Sequence, residues 1–274
     1  MNVESREYKL LVNHEPFADP DEAVKAVWDE IEEAVKTLPM IQTKSKLDEK
    51  EMRSILFLDT PDHTLRRCGL VLRQRTLDEA VEYTLKCRSE DRYFAAGTDV
   101  SAAEGLEAEL KLEEDIAPPF RCRFSHSATI TVAGDGDAAL QKMPKTLREA
   151  AALFPVLGTR RADGRPCSPE TSLEVVNSIT VSETAWKGGK ILFESDGEAK
   201  SEKATVALTL WSRGKANRPA VAELSFRLKD SEERFSRNLA EAARSVYELL
   251  QRLDCSRPEG MTKTEYIYRD AVWD

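Results

Sequence analysis

The chain has 274 residues, of which 41% are hydrophobic and 32% are charged, a composition typical of a globular protein with a substantial core. Forty basic and 49 acidic residues give a net charge of −9, which argues against general affinity for nucleic acids or anionic membranes. A polyanion that binds this protein must therefore meet a local concentration of Lys and Arg.

The cysteines and histidines argue against a disulfide scaffold or a zinc site. The five cysteines are scattered without a C-x-x-C pair, and the three histidines are dispersed. A reducing cytoplasm fits this pattern best. The sequence has no apolar run of membrane-spanning length and no basic-then-apolar start. We therefore predict a cytoplasmic protein that does not bind membranes.

Strand-like alternation dominates the chain, and three segments have helical spacing. The first helix is predicted at 21–37, where apolar residues recur behind an acidic first turn, and the others at 145–154 and 231–253. The predicted strands are 5–12, 54–58, 69–76, 81–88, 106–112, 123–132, 174–183, 190–194, 204–211 and 221–229. Many strands with few helices indicate an α+β fold with a large, mostly antiparallel sheet.

Five of these strands pair an apolar face with a densely charged face. The segment SREYKLLV at 5–12 is an example, because Tyr8 and Leu10 alternate with Glu7 and Lys9. The charged faces carry, in chain order, Ser5, Glu7, Lys9, Arg73, Arg75, Thr84, Lys86, Arg88, Glu107, Glu109, Lys111, Glu223, Ser225, Arg227 and Lys229.

Two architectures explain these charged faces. An open sheet would pack its apolar side on helices and expose its charged side to water. A closed barrel would instead line a tunnel with Lys, Arg and Glu, which is electrostatically costly unless a ligand and metal ions complete it. Clustered Arg and Lys suit phosphate, and paired carboxylates suit a hard divalent cation. The second architecture therefore suggests a metal-bridged oligophosphate as ligand.

Several segments resemble, in order, the motifs of the CYTH domain family, also called triphosphate tunnel metalloenzymes. Residues 56–75 read LFLDTPDHTLRRCGLVLRQR and resemble the family's Y-F-D-T-P-D signature, which continues as L-R-x-x-G-x-x-L-R-x-R. Further resemblances follow at YTLK (83–86), LEAEL (106–110), LFPVLGTRR (153–161), AELSFRLK (222–229) and TKTEYIYR (262–269). The resemblance covers essentially the whole chain, which we interpret as a single domain, 1–274.

The resemblance implies an eight-stranded antiparallel β-barrel that forms a triphosphate tunnel, with helices packed outside. Family enzymes use Mg²⁺ or Mn²⁺ to hydrolyse inorganic triphosphate or triphosphate-bearing compounds. We therefore expect a metal-dependent triphosphatase whose partner is inorganic triphosphate or a triphosphate-bearing organic compound. Whether the chain forms a homodimer stays open.

The resemblance also implies roles for individual residues. The expected catalytic residues are Glu7, Lys9, Lys86 and Glu107. The expected phosphate contacts are Lys9, Arg66, Arg73, Arg75, Lys86, Arg160, Arg161 and Lys263. The expected ligands of Mg²⁺ or Mn²⁺ are Glu7, Glu107, Glu109 and Glu223.

Two positions depart from the family pattern. The family begins with E-x-E-x-K, whereas this chain has Ser5 before Glu7, and the later E-x-E is Glu223 followed by Ser225. A serine hydroxyl is a neutral and weaker ligand for a hard divalent ion than a carboxylate. Two hypotheses follow. The protein is either a metal-dependent phosphohydrolase with the remaining glutamates, or a non-hydrolytic binder of a polyphosphate-like anion.

Overall fold

The computed structural model describes residues 1–136, 138, 140–159, 168–194, 202–214, 216, 218–230, 232–257 and 262–269, and the backbone of 161, 162, 165 and 166. The strands are β1 (Ser5–Val12), β2 (Ile41–Lys44), β3 (Glu49–Asp59), β4 (Leu70–Thr76), β5 (Ala80–Ser89), β6 (Glu109–Ala117), β7 (Arg121–Ala133), β8 (Arg161–Ala162), β9 (Arg165–Pro166), β10 (Glu174–Lys187), β11 (Lys190–Phe193), β12 (Glu202–Arg213), β13 (Val221–Lys229) and β14 (Ser256–Arg257). The helices are α1 (Pro20–Val35), α2 (Thr64–Arg67), α3 (Arg92–Gly97), α4 (Leu147–Ala151), α5 (Val156–Thr159), α6 (Arg237–Leu250) and α7 (Lys263–Ile267), with a 3-10 helix at Glu15–Ala18. None of the helices in the described ranges combines the length and apolar character needed to cross a membrane.

The chain divides into two compact units. The first unit comprises Met1, Arg53–Glu113 and Arg123–Ser182. The second unit comprises Asn2–Met52, Glu114–Cys122 and Glu183–Asp274.

The first unit is built on antiparallel strands in the order β3-β4-β5-β7. One face of this sheet contributes Leu58, Leu72 and Leu85 to a buried core, and the short helices α4 and α5 add Leu147 and Leu157. Because side chains alternate along a strand, the residues between these leucines point to the opposite face. That opposite face carries the cations that the sequence singled out on β4 and β5.

The second unit is built on antiparallel strands in the order β1-β13-β12-β11-β2, and β14 pairs with the other edge of β1. In its core the ring of Tyr8 stacks on Phe226 with centroids 4.4 Å apart. Helix α1 packs Trp28 into this core, and α6 adds Val246 and Tyr247. The polar residues that alternate with Tyr8 and Phe226 therefore lie on the side of the sheet away from these helices.

The three predicted helices are present, with shorter bounds. Helix α1 starts after Asp19, whose side chain accepts a hydrogen bond from a backbone N–H of the first turn. Helix α6 starts at Arg237 because Ser236 caps it, accepting a hydrogen bond from the N–H of Leu239. The expected start at Ser231 lies outside the described residues. Helix α4 is five residues long, half the predicted segment.

The α+β class is confirmed, and the strand pairings described within each unit are antiparallel. The expected number of eight strands is wrong in detail, because the described residues form fourteen. Several of the additional strands, such as β2 and β14, have only two to four residues. Alternation cannot be recognised over so few residues, so sequence periodicity missed them.

Candidate anion-binding site

In the second unit, strands β1 and β13 bring together a half-buried group of ion pairs. Glu7 lies directly opposite Arg227 in the strand register, and Lys9 lies opposite Ser225. The Nζ atom of Lys9 is 3.1 Å from Oε2 of Glu7 and 2.7 Å from Oδ1 of Asp115, which β6 contributes. Nη2 of Arg227 donates to Oε2 of Glu7 at 2.9 Å. We call Glu7, Lys9, Asp115 and Arg227 the Lys9 cluster.

The Lys9 cluster holds the Glu7 carboxylate in the charged form. Burial by itself raises the pKa of the Glu7 carboxyl, but the Lys9 and Arg227 cations outweigh this effect and lower the pKa to about 2. The Glu7 side chain is 13% exposed and that of Lys9 is 18% exposed. Two cations and two carboxylates therefore balance each other in a poorly hydrated environment.

A second group of charges in this unit surrounds Lys263, the first residue of α7. Thr262 caps this helix in a capping box, which fixes where the lysine side chain emerges. The Nζ atom of Lys263 lies 3.0 Å from Glu223 and 4.0 Å from Glu183, and 5.1 Å from the ring centroid of Trp211. The Trp211 indole N–H donates to Glu183 at 2.8 Å. We call Lys263, Glu183, Glu223 and Trp211 the Lys263 cluster.

In the first unit, the polar face of β4, β5 and β7 carries a row of cations and hydroxyl groups. Nη2 of Arg73 donates to Oγ1 of Thr84 at 3.1 Å, and Thr84 in turn contacts Oγ1 of Thr129 at 3.1 Å. The next cation along β4, Arg75, pairs with Glu82 on β5 at 3.3 Å. The strand register places these pairs directly opposite each other.

Lys86 belongs to the same polar face of the first unit. Its Nζ atom lies 3.6 Å from Oε2 of Glu113, near the middle of β6, and its side chain is 17% exposed. The neighbours of Lys86 along β5, Leu85 and Cys87, are buried in the core. Alternation on a half-buried strand therefore explains how a lysine comes to be held away from bulk water.

The DTPD segment of the sequence signature builds the turn before β4. The Asp59 carboxylate accepts hydrogen bonds from the backbone N–H groups of Thr60, Leu65 and Arg66. Asp62 accepts from the Thr60 and Thr64 hydroxyls and from Arg67, which lowers the pKa of Asp62 to about 2. These aspartates organise the turn and helix α2, so their contacts indicate a structural role.

The structure brings many of the expected site residues together within each unit. Glu7 and Lys9 meet in one cluster of the second unit and Glu223 and Lys263 in the other. The expected phosphate contacts Arg73, Arg75 and Lys86 share the polar face of β4 and β5 in the first unit.

The remaining expected residues lie elsewhere. Arg66 is exposed on α2. Glu107 is exposed in the loop before β6, and Glu109 is exposed at the first residue of β6, 2.7 Å from Lys111. The assignment of Glu107 and Glu109 to the metal site is therefore not supported by their positions. Arg160 lies outside the described residues, and of Arg161 only the backbone is described.

Several residues that contact the expected site residues were not themselves predicted, among them Glu113, Asp115, Glu183 and Arg227. The sequence signal for the first two was present, because Glu113 and Asp115 continue the alternation that begins with Glu107 and Glu109. The predicted strand stopped at residue 112, whereas β6 runs to Ala117. Arg227 lies on the charged face already recognised for β13.

Ser5 and Ser225, which stand where the motifs of the resembled family have glutamates, lie on the charged faces. Ser5 and Ser225 are both buried. Ser5 shares the β1 face with Glu7, and Ser225 lies directly opposite Lys9. Each departure therefore removes a carboxylate from the neighbourhood of the Lys9 cluster.

The carboxylates are arranged in pairs around lysines. Glu7 and Asp115 both contact Lys9, and Glu183 and Glu223 both approach Lys263. Within the described ranges, no group of three or more His, Cys, Asp or Glu side chains is arranged to hold a metal ion. Mg²⁺ is commonly bound by only one or two carboxylates together with substrate phosphates. The donor set therefore fits a divalent ion only in company with a phosphate ligand.

No protein-family model matches the chain, and no curated protein matches its sequence. Among solved structures, the chain aligns with a proposed adenylyl cyclase from Hippeastrum described as having a dominant triphosphatase activity, at TM-score 0.45 and 12% identity over 98% of this chain and 96% of that chain. A proposed adenylate cyclase from Bacillus halodurans aligns at TM-score 0.45 and 12% identity over 97% of each chain. A protein from Pyrococcus horikoshii aligns at TM-score 0.40 and 13% identity over 96% of this chain and 97% of that chain.

Proposed function

We propose that the protein binds an oligophosphate anion, either inorganic triphosphate or a triphosphate-bearing organic compound. The observation that supports this proposal most is a set of partly buried cations, which lie on the polar strand faces of each unit or, for Lys263, at the start of α7. They are Lys9, Arg73, Arg75, Lys86, Arg227 and Lys263.

Partly buried cations are costly for a folded protein unless they are paired or serve a ligand. Carboxylates or hydroxyl groups lie between 2.7 Å and 3.6 Å from these cations, so the cations are positioned before a ligand arrives. Nη2 of Arg73 donates to the neutral hydroxyl of Thr84. Guanidinium groups match phosphate oxygens with parallel hydrogen bonds, whereas lysines act as compact charges.

Calorimetric titration with tripolyphosphate tests the binding proposal. Arg73→Ala and Lys86→Ala should each weaken binding by about 10- to 100-fold, the loss expected for a hydrogen bond to a charged group. The matched control is Arg237→Ala, because Arg237 pairs with Glu241 on the exposed face of α6. The proposal is refuted if the wild-type chain binds no tripolyphosphate, or if both site variants bind as tightly as the control.

Hydrolysis of the terminal phosphate is the second candidate function. The observation that favours it is the convergence of Glu183 and Glu223, both buried, on the single ammonium group of Lys263. Two convergent carboxylates would hold Mg²⁺ or Mn²⁺ together with phosphate oxygens. Such an ion supplies charge neutralisation at the phosphates and activation of water. The serines at 5 and 225 argue in the other direction, toward a binder without catalysis.

Phosphate release from tripolyphosphate, measured with Mg²⁺ and with Mn²⁺, separates the two candidates. Release that is lost in Glu223→Gln while tripolyphosphate still binds would support hydrolysis. Tight binding without release under either metal would leave a non-catalytic binding protein. Glu241→Gln, on the exposed face of α6, is the matched control and should release phosphate at the wild-type rate.

A further inference from the structure

We infer that Thr129 on β7 is a positioning residue of the anion site, which holds the guanidinium group of Arg73 through the hydroxyl of Thr84. The inference rests on the proposed oligophosphate binding and adds a residue that the sequence motifs do not contain. Thr129 acts indirectly: its hydroxyl contacts Thr84 on β5, and Thr84 contacts Arg73 on β4.

The three residues form one line across the sheet of the first unit. Arg73 pairs with Thr84 in the β4–β5 register, and Thr84 pairs with Thr129 in the β5–β7 register. All three side chains lie on the polar face, and both hydrogen bonds along the line measure 3.1 Å. The line therefore joins three strands through side chains as well as through the backbone.

Thr84, the middle residue of this line, is the reason that Thr129 affects Arg73. Thr84 is buried, and its hydroxyl accepts a hydrogen bond from Arg73. A hydroxyl has one proton and two acceptor positions, so it accepts from Arg73 and can still donate to or accept from Thr129. Whichever of the two hydroxyl groups is the donor, the hydrogen bond with Thr129 fixes the rotation of the Thr84 hydroxyl. Without Thr129, this buried hydroxyl must turn toward another partner, and its lone pair is no longer held toward Arg73.

A fixed guanidinium favours anion binding in two ways. An Arg side chain that is already held loses less rotamer freedom when a ligand binds. The guanidinium also presents its donors in one plane, so the bond to Thr84 orients the other N–H groups of Arg73. Hydrogen bonds linked in a chain also strengthen one another in a poorly hydrated environment.

Removal of the Thr129 hydroxyl tests this role. Thr129→Val keeps a β-branched side chain suited to a strand, and we expect tripolyphosphate to bind about fivefold more weakly, the equivalent of one ordinary hydrogen bond. Thr129→Ser retains the hydroxyl and should bind within about twofold of wild type. Thr180→Val, at an exposed strand threonine of the same unit, is the matched control and should bind like wild type. Thr129→Ala gives the same test with a smaller side chain if the valine variant does not fold.

A double-mutant cycle with Arg73→Ala distinguishes positioning from a general structural effect. If Thr129 acts through Arg73, Thr129→Val should have no further effect on binding once Arg73 is removed. Equal weakening by Thr129→Val in the presence and absence of Arg73 would overturn the inference. So would wild-type affinity in Thr129→Val while Arg73→Ala binds weakly, a result that leaves the proposed function intact. If the wild-type chain binds no tripolyphosphate, the proposed function itself fails, and the inference fails with it.

Discussion

Replacement of Glu7 by Gln tests the energetics of the Lys9 cluster directly. The substitution preserves the shape of the side chain but removes the negative charge that Lys9 and Arg227 share. Both cations remain in place, with side chains 18% and 32% exposed, and have lost a charged partner. Removal of one member of a buried ion pair is destabilising because the remaining charge is poorly solvated.

The magnitude follows from the pKa of Glu7. Its value of about 2 in the folded protein, against an ordinary value of 4.5, corresponds to about 3 kcal/mol of stability at neutral pH. Because the folded pKa is the lower one, this stability is complete above pH 4.5 and is lost as the pH falls toward 2. At pH 3.5 about 2 kcal/mol of it should remain.

Urea denaturation of the wild type and Glu7→Gln at pH 7 and pH 3.5 measures this contribution. We expect the variant to be less stable by about 3 kcal/mol at pH 7 and by about 2 kcal/mol at pH 3.5. The control is Glu241→Gln, which removes an exposed ion pair on α6 and should change stability far less than Glu7→Gln does at pH 7. Two results would refute the reasoning. One is equal stability of Glu7→Gln and wild type at pH 7. The other is a difference in the free energy of unfolding that does not shrink when the pH is lowered to 3.5.

Two further predictions concern the second unit. Gly188 has φ +106°, and a Cβ there would lie 2.6 Å from a backbone carbonyl oxygen, so Gly188→Ala should lower the free energy of unfolding by about 1–3 kcal/mol. Thermal denaturation checks this against Gly97→Ala, where a Cβ meets nothing within 4 Å and stability should change little. The Tyr247 hydroxyl donates to the carbonyl oxygen of Lys9 at 2.7 Å, so Tyr247→Phe should lower the free energy of unfolding, measured by urea denaturation, by about 1 kcal/mol. Tyr93→Phe, at a side chain exposed to solvent, is the control and should leave this free energy unchanged.

Some of this protein could be predicted because it depends on alternation along a single strand. The apolar residues of β1 and β13 belong to the core, and the charged residues between them share the other face, as the sequence indicated. A period of two assigns each side chain to a face without knowledge of the neighbouring strands. For this reason Lys9, Arg73 and Lys86 could be selected from the sequence alone.

The limits of the sequence are equally specific. The motif resemblance selected Glu107, in the loop before β6, and Glu109, at its first residue, whereas the structure places Glu113 near Lys86 and Asp115 beside Lys9. Glu113 and Asp115 have the same strand parity as Glu109 and lie farther along β6. A period of two repeats identically at each step, so alternation cannot say which pair of carboxylates lies opposite a given lysine.

The sequence by itself determined the α+β class, the two-faced strands and the local concentration of cations in an acidic chain. Those features follow from composition and from the geometry of a single extended segment. Only the tertiary structure decided which residues contact these cations. Asp115 and Arg227 contact the Lys9–Glu7 pair, and Glu183 lies beside Lys263. Thr129 contacts Thr84, which in turn contacts Arg73. These contacts join residues far apart in the chain, and strand register and packing set their distances, which no local pattern encodes.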